Sequence, residues 1–136
     1  MDARAVVLRP SDLRWQPHPN LPPGAEIAVL HGDPARAGIF AVRVRSPARL
    51  RVAPHAHPED RVYTVIDGTF AIGFGERFDA GSLAEVPPGG SVFVGAGRPH
   101  FQFAPAGGYT IEIVGTGPTA TTYARPEDDP RTAAPG

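Results

Sequence analysis

The close spacing of turns is the feature that most constrains this chain, because it cuts the sequence into apolar runs too short for helices. Sixteen glycines and 17 prolines are spread through the 136 residues, and they lie between the apolar runs, not in one low-complexity tract. No segment carries a convincing helical period, and the best candidate is the short stretch 10–15. Short apolar runs bounded by glycine and proline are typical of strands. The chain is therefore expected to be all-β.

The strongest strand signal lies at residues 38–45, where Phe40, Val42 and Val44 alternate with arginines. Asp67-Gly68 predicts a β-hairpin between the runs on either side of it. The predicted strands cover 26–30, 38–45, 49–52, 61–66, 69–74, 91–94, 100–103 and 109–114. Short strands in this number, with no helix between them, imply an antiparallel sandwich or barrel.

Length and composition favour one globular unit. The chain is 41% hydrophobic and 20% charged, and 136 residues can bury a core without disulfides or metals. We expect a single domain over 1–136, with a barrel core at about 25–116 and an N-terminal arm over 1–24. The C-terminal tail, 119–136, is rich in proline, aspartate and glycine at its end and is expected to be loosely held.

Charge and residue content exclude several classes of protein. The net charge is −1 and no basic block stands out, which argues against nucleic acid as a partner. No apolar run approaches the ~20 residues of a membrane helix. Cysteine is absent, which excludes disulfides and thiolate chemistry. With no signal-peptide pattern at the N-terminus, a cytoplasmic location is the expectation.

Histidines provide the main candidates for chemistry. His18 and His31 lie beside proline or glycine and are interpreted as turn histidines. His55 and His57 are two residues apart, so in an extended chain both imidazoles lie on one face and can bind one ion. The flanking prolines, Pro54 and Pro58, are expected to stiffen this segment as a loop.

A third histidine, His100, opens the predicted strand 100–103 and shares a face with Gln102. Phe101 and Phe103 lie on the opposite, apolar face. A predicted hairpin of two strands lies between the first pair and this histidine, so a barrel can bring all three imidazoles together.

Two motifs in this chain resemble those of the cupin superfamily. The first cupin motif, G-x5-H-x-H-x3,4-E-x6-G, is matched by His55, His57 and Gly68, and the second, G-x5-P-x-G-x2-H-x3-N, by Gly97 and His100, with Gly90 close to its expected place. The stretches 21–25 (LPPGA), 32–34 (GDP) and 67–75 are similar to small single-domain cupins. The resemblance implies an antiparallel double-stranded β-helix, a jelly-roll barrel, with an N-terminal extension.

The resemblance also implies that His55, His57 and His100 bind a divalent metal ion. Zn, Fe, Mn and Ni all remain open, because imidazole suits several metals. The sequence departs from the motif where a glutamate usually completes the ligand set. That position is Arg61, which is cationic and has no lone pair to offer.

Arg61 leaves three interpretations open. The metal keeps three histidines and completes its shell with water or substrate, as catalytic sites do. Alternatively, Gln102 or Glu59 supplies an oxygen ligand. In the third, the site is free of metal, and Arg61 joins the histidines in binding an anion. A purely structural ion pair of Arg61 with Glu59, Asp60 or another carboxylate competes with all ligand roles.

Tyr63 lies on the same strand face as Arg61 and could give a proton or a hydrogen bond to a substrate, unless it is simply a packed barrel tyrosine. Tyr63 and Arg61 are therefore the candidate catalytic residues, and Arg61, Tyr63 and Gln102 the candidate ligand contacts. Glu112 is expected to point outward, because Ile111 and Ile113 prefer the core.

Two functions follow as expectations. One is a metal-dependent enzyme, of the isomerase, lyase or dioxygenase type, that acts on a small polar or anionic molecule. The other is a non-catalytic cupin that binds or senses a small ligand, with or without metal. The fold alone cannot separate them, since one fold carries many chemistries. A homodimer is expected, because exposed strand edges favour pairing.

Overall fold

Eleven strands and three short 3₁₀ helices form the regular structure of residues 4–132, the part that the computed structural model describes. The strands are β1 (Gln16–Pro17), β2 (Glu26–His31), β3 (Gly38–Ser46), β4 (Arg51–Ala56), β5 (Arg61–Gly68), β6 (Phe70–Phe74), β7 (Ala84–Val86), β8 (Ser91–Val94), β9 (His100–Phe103), β10 (Tyr109–Gly117) and β11 (Thr122–Tyr123). The 3₁₀ helices are Pro10–Asp12, Ala80–Ser82 and Pro126–Asp128. No helix among the described residues is long and apolar enough to cross a membrane.

The strands form two antiparallel sheets. One has the order β1-β2-β3-β10-β5-β8 and the other the order β11-β4-β9-β6-β7. All neighbouring strands within each sheet are antiparallel. The predicted all-β class and jelly-roll barrel are confirmed.

The core lies between the two sheets and is built from the alternate residues of each strand. On β3 the inward residues Phe40, Val42 and Val44 are each at most 3% exposed, as the alternation predicts. Phe70, from the other sheet, stacks on the Tyr63 ring with centroids 5.7 Å apart. These apolar side chains close the barrel interior around the polar residues described below.

The predicted hairpin at Asp67-Gly68 is wrong. β5 and β6 flank this turn, but they belong to different sheets. Gly68 has a φ of +73°, and a Cβ there would overlap the carbonyl oxygen of Gly108. Its turn carries the chain from one sheet to the other, and the sequence signal for a positive φ does not say whether the two strands pair.

Pro54 does not lie in a loop, as the sequence suggested, but inside β4. Proline lacks an N–H and is tolerated in a strand where pairing is irregular. Here the register of β4 against β9 shifts between Val52 and His55. The strand therefore continues through Pro54 and delivers His55 directly opposite His100.

The C-terminal tail, expected to be loosely held, makes several contacts with the barrel and the N-terminal arm in the residues described. β11 pairs with β4, and the Tyr123 hydroxyl donates a hydrogen bond to the Asn20 carbonyl at 2.6 Å. Arg131 donates to the Thr121 carbonyl at 2.7 Å. The tail is held because it satisfies the free edge of β4. The ends of the predicted arm and tail, 1–3 and 133–136, lie outside the described residues.

Three strands were not predicted, and the predicted helical stretch is shorter than expected. Both differences concern segments too short for sequence patterns to identify. β1, β7 and β11 have two or three residues each, too few for any alternation to show. The stretch 10–15 forms a 3₁₀ helix at Pro10–Asp12 and no more.

Gly73 provides a test of how tightly the second sheet is packed. It lies opposite Phe101, and a Cβ at Gly73 would overlap ring atoms Cε2 and Cζ of that fully buried side chain. We expect Gly73→Ala to lower the free energy of unfolding by about 1–3 kcal/mol, because the ring must shift. Urea denaturation measures this. Gly95→Ala is the control, since its Cβ would meet the nearest atom at 3.7 Å, and an equal loss in both variants would contradict the packing account.

Candidate metal centre

Pairing of β4 with β9 brings the three predicted metal-binding histidines together. His55 and His100 are direct cross-strand partners, and His57 follows two residues after His55 on the same face. Their ring centroids lie 4.2 Å (His55–His100), 5.0 Å (His55–His57) and 5.3 Å (His57–His100) apart. One ring nitrogen from each lies within 4.8 Å of the others. All three side chains are buried, at 2%, 8% and 0% exposure for His55, His57 and His100.

The tautomer of each imidazole is fixed by the backbone. Every Nδ1 is hydrogen-bonded to a carbonyl oxygen, which can only accept, so Nδ1 carries the proton and Nε2 the lone pair. The acceptors are Ala53 for His55 at 2.8 Å, Ala120 for His57 at 2.9 Å and Arg98 for His100 at 3.0 Å. Three Nε2 lone pairs are thereby left for other partners.

Burial also fixes the charge of these rings. It lowers the pKa of His57 to about 3, with the Arg61 charge adding to the effect, and it lowers the pKa of His100 to about 4. The pKa of His55 is held well below its usual range, first by burial and then by the neighbouring His100 and His57. The three imidazoles are therefore neutral near pH 7, which is the form that binds metal.

The donor set fits a divalent metal. Neutral imidazole nitrogen suits Zn, Fe and Ni, among others. A metal-binding histidine almost always donates its second ring N–H to a carbonyl, carboxylate or water, which fixes its orientation. All three rings here meet that condition through the carbonyls of the chain itself.

Tyr63 lies directly beside the cluster. Its hydroxyl is 3.2 Å from Nε2 of His100, and since that nitrogen holds a lone pair, the hydroxyl donates. Arg61 Nη1 donates to the same hydroxyl oxygen at 3.4 Å. Burial raises the pKa of Tyr63, so its proton stays in place.

Arg61 and Glu59 form a buried ion pair. Nε and Nη2 of Arg61 donate to Glu59 Oε2 at 2.9 and 2.6 Å, and the two side chains are 8% and 9% exposed. Thr119 completes the group: its hydroxyl accepts from Arg61 at 3.1 Å and donates to Glu59 Oε1 at 2.5 Å. Both Glu59 oxygens are thus engaged away from the histidines. The structural ion pair proposed for Arg61 is present.

Gln102 lies inward on β9, 4% exposed, and its amide donates to the Tyr109 hydroxyl at 3.3 Å. Glu112 points outward, as expected, and bonds Arg43 at 3.0 Å. Gln102 therefore shares the barrel interior with the histidines, and Glu112 does not.

A cavity of about 380 Å³ opens beside the cluster, within the range of ligand pockets. Its polar lining includes His55, His57, Arg61, Tyr63 and Gln102. Its apolar walls come mainly from β2, β3 and β10 and include Ile27, Val29, Phe40, Val42, Val44, Ile111 and Ile113. The N-terminal arm contributes 16–21, and the C-terminal tail contributes Thr119 and Thr121.

His18 is the site residue that sequence analysis missed. It was interpreted as a turn histidine, but it is half-buried and lines this cavity. Burial, and then the Arg61 charge, lowers its pKa to about 4. The segment around it is too short and too rich in proline to carry a periodic signal, so only tertiary contacts reveal its position.

Comparison with known proteins places the chain in a family. Residues 3–122 match the model of the ChrR cupin-like domain. The chain belongs to this cupin family. None of the curated proteins compared with this cupin matches it in sequence.

Solved structures share its fold at low identity. The polyketide cyclase RemF from Streptomyces resistomycificus has a TM-score of 0.74 and 16% identity, over 93% of this chain and 90% of that one. The DMSP lyase DddQ from Ruegeria pomeroyi has a TM-score of 0.66 and 19% identity, over 85% and 64%. Oxalate decarboxylase from Bacillus subtilis, described with Mn(II) centres, has a TM-score of 0.59 and 19% identity, over 78% and 28%. These likenesses establish the fold, and the reactions differ among them.

Because the fold keeps several buried histidines neutral, the free energy of unfolding should fall as the pH is lowered. Below pH 6.5 the unfolded chain protonates them, while folding keeps His57 neutral down to about pH 3 and His18 and His100 down to about pH 4. Each such histidine removes about 1.4 kcal/mol of unfolding free energy per pH unit on descent from 6.5 towards its folded pKa. Chemical denaturation of the chelator-treated protein between pH 7 and 4 measures the slope.

His57→Gln should reduce the slope of unfolding free energy against pH by the contribution of one buried histidine. The control is His31→Gln, which changes an exposed histidine outside the site and should leave the excess slope from the buried histidines in place. An unchanged slope in His57→Gln would show that this imidazole is not kept neutral by the fold.

Proposed function

We propose that this cupin binds one divalent metal ion through His55, His57 and His100 and acts on a small molecule in the adjoining cavity. The supporting observation is the common tautomer of the three buried rings, each with Nδ1–H on a carbonyl and its lone pair on Nε2. Three neutral lone pairs converging in a barrel interior are stabilised best by a cation. Zn, Fe, Mn and Ni are the candidate ions.

A divalent ion at this site would supply Lewis-acid polarisation of a carbonyl, or activation of bound water or dioxygen. Because Arg61 occupies the usual glutamate position, three protein ligands leave coordination positions for substrate and water. The cavity beside His55 and His57 gives a substrate room to reach them.

Tyr63 is proposed to hold the proton of the site. Its hydroxyl donates to the His100 Nε2 lone pair at 3.2 Å. One lone pair cannot serve a hydroxyl and a metal at once. A metal held by His100 would leave the Tyr63 hydroxyl to donate to a substrate oxygen, with Arg61 Nη1 holding the phenol in place.

Arg61 is proposed as a positioning residue and not as an anion contact. Its Nε and Nη2 are bound to Glu59 and Thr119, and its charge is balanced by the Glu59 carboxylate. A metal-free anion site built on Arg61 loses its main support from this pairing. A small polar molecule therefore suits the cavity better than a strong anion held by arginine.

The reaction class is proposed as metal-dependent chemistry of the lyase, isomerase or dioxygenase type, which agrees with the cyclase and lyase named among the similar structures.

We also propose a cytoplasmic homodimer. Phe93, Val62 and Val114 lie side by side on the outer face of the larger sheet, at 62%, 43% and 40% exposure, which is the surface that a second copy would cover.

Metal content tests the first part of the proposal. Protein purified without added metal, or supplied with Zn, Mn, Fe or Ni, should hold about one equivalent by elemental analysis. His57→Ala should lower the affinity by at least about 10–100-fold, because one of three ligands is gone. His31→Ala should bind as the parent does.

Circular dichroism establishes that each variant is folded. Failure of the folded parent to take up any of the four metals would overturn the metal-centre proposal. Equal binding by parent and His57→Ala would place the metal elsewhere.

Glu59→Gln tests the balance of charge beside the site. It leaves the buried Arg61 guanidinium without its counter-ion, so a positive charge faces the incoming cation. We expect metal affinity to fall by about tenfold or more, an effect of about 1.4 kcal/mol. The paired change Glu59→Met with Arg61→Met removes both charges and should recover most of that loss. Calorimetric titration measures all three, and equal affinity in Glu59→Gln would contradict the electrostatic account.

A further inference from the structure

We propose that His18 is a substrate-binding residue of this cupin, and that its Nε2–H donates to a carbonyl or carboxylate oxygen of a small ligand with an apolar body. The inference rests on the proposed metal site and names the class of ligand that the site accepts. His18 lies in the N-terminal arm, outside both cupin motifs, and the metal-binding cluster does not use it.

The tautomer of His18 is opposite to that of the three cluster histidines. The backbone N–H of Asn20 donates to His18 Nδ1 at 3.1 Å. A backbone N–H can only donate, so Nδ1 holds the lone pair and the proton resides on Nε2. The cluster rings offer lone pairs, whereas His18 offers a donor. In this arrangement it is suited to an oxygen of the ligand and not to the metal.

The ring is held before any ligand arrives. The backbone N–H of His18 donates to the Ala25 carbonyl at 2.9 Å, which extends the pairing of β1 with β2. The carbonyl of Asn20 accepts from Tyr123 of the C-terminal tail at 2.6 Å. Contacts from both ends of the chain therefore fix the loop that carries His18, and little entropy is lost when a ligand binds.

Two other polar side chains of the cavity are already engaged. Gln102 donates to Tyr109, and Arg61 is paired with Glu59. The hydrogen bonds of His18 itself use its backbone N–H and Nδ1, which leaves Nε2–H for a ligand. Together with the Tyr63 hydroxyl, this N–H can recognise acceptor oxygens in the cavity.

The cavity walls define the rest of the ligand. The same cavity that His18 lines has walls with many aliphatic side chains, among them Leu21, Ile27, Val29, Val42, Ile111 and Ile113. An apolar ligand body gains by leaving water against them. The volume of about 380 Å³ limits that body to a small molecule. The expected ligand is therefore a small molecule with an oxygen acceptor at one end and an apolar group at the other.

Isovalerate bound to cobalt-loaded protein tests the inference. One carboxylate oxygen can bind Co(II), and the other can accept from His18, while the branched chain contacts the walls. The visible absorption of Co(II) reports both metal uptake and isovalerate binding. The variants are His18→Phe, which keeps a flat ring without an N–H, and His18→Gln, which restores an amide N–H.

We expect isovalerate affinity to fall about tenfold or more in His18→Phe and to return to within about threefold of the parent in His18→Gln. Cobalt affinity should stay the same in all three proteins. The matched probe is 2-methylpropane-1-thiol, which has a branched chain and binds Co(II) through sulfur but has no acceptor oxygen. Its affinity should not change in His18→Phe.

The outcomes separate the two proposals. No cobalt uptake by the parent would overturn the metal centre and this inference with it. Equal cobalt uptake with equal isovalerate affinity in parent and His18→Phe would overturn the inference alone, as would a parent that binds cobalt but not isovalerate. Equal loss of isovalerate and thiol in His18→Phe would assign His18 to packing and also overturn it.

Discussion

The structure of this cupin depends on the burial of three neutral imidazoles side by side between two sheets. Rings this close cannot all carry charge, and burial disfavours the protonated form of each. The fold meets this constraint with backbone carbonyls that hold Nδ1–H of His55, His57 and His100. The carbonyls come from three separate segments, so β4, the turn before β9 and the C-terminal tail must all be in place before the rings can point one way.

A second constraint arises because a cation, Arg61, occupies the position where the first cupin motif given above has a glutamate. A buried guanidinium is tolerated only if it is paired and hydrogen-bonded. Glu59, two residues earlier, and Thr119, from the tail, satisfy Arg61 almost completely. The result is a charge-balanced group beside the three histidines, next to which Tyr63 keeps its proton, and this group links β5 to the C-terminal segment.

The two ends of the chain complete the cavity. The arm contributes His18, the tail contributes Thr119 and Thr121, and the Tyr123–Asn20 hydrogen bond joins them. These interior histidines offer two kinds of group. His55, His57 and His100 carry lone pairs on Nε2, whereas His18 of the arm carries an N–H there. A ligand between them would meet both kinds of group within one small space.

The sequence by itself determined the all-β class, most strand positions and the choice of His55, His57 and His100 as candidate metal ligands. Alternation, the H-x-H spacing and the start of a strand are signals that act over a few residues. It could not predict that Asp67-Gly68 joins strands of different sheets, that Pro54 continues β4, or that β11 of the tail pairs with β4, since each depends on which strand edge lies alongside. The ligands of Arg61 and the position of His18 were likewise decided by the tertiary structure. Hydrogen-bond partners 58 residues apart, as for Arg61 and Thr119, leave no local pattern, and only the closed barrel brings them within reach.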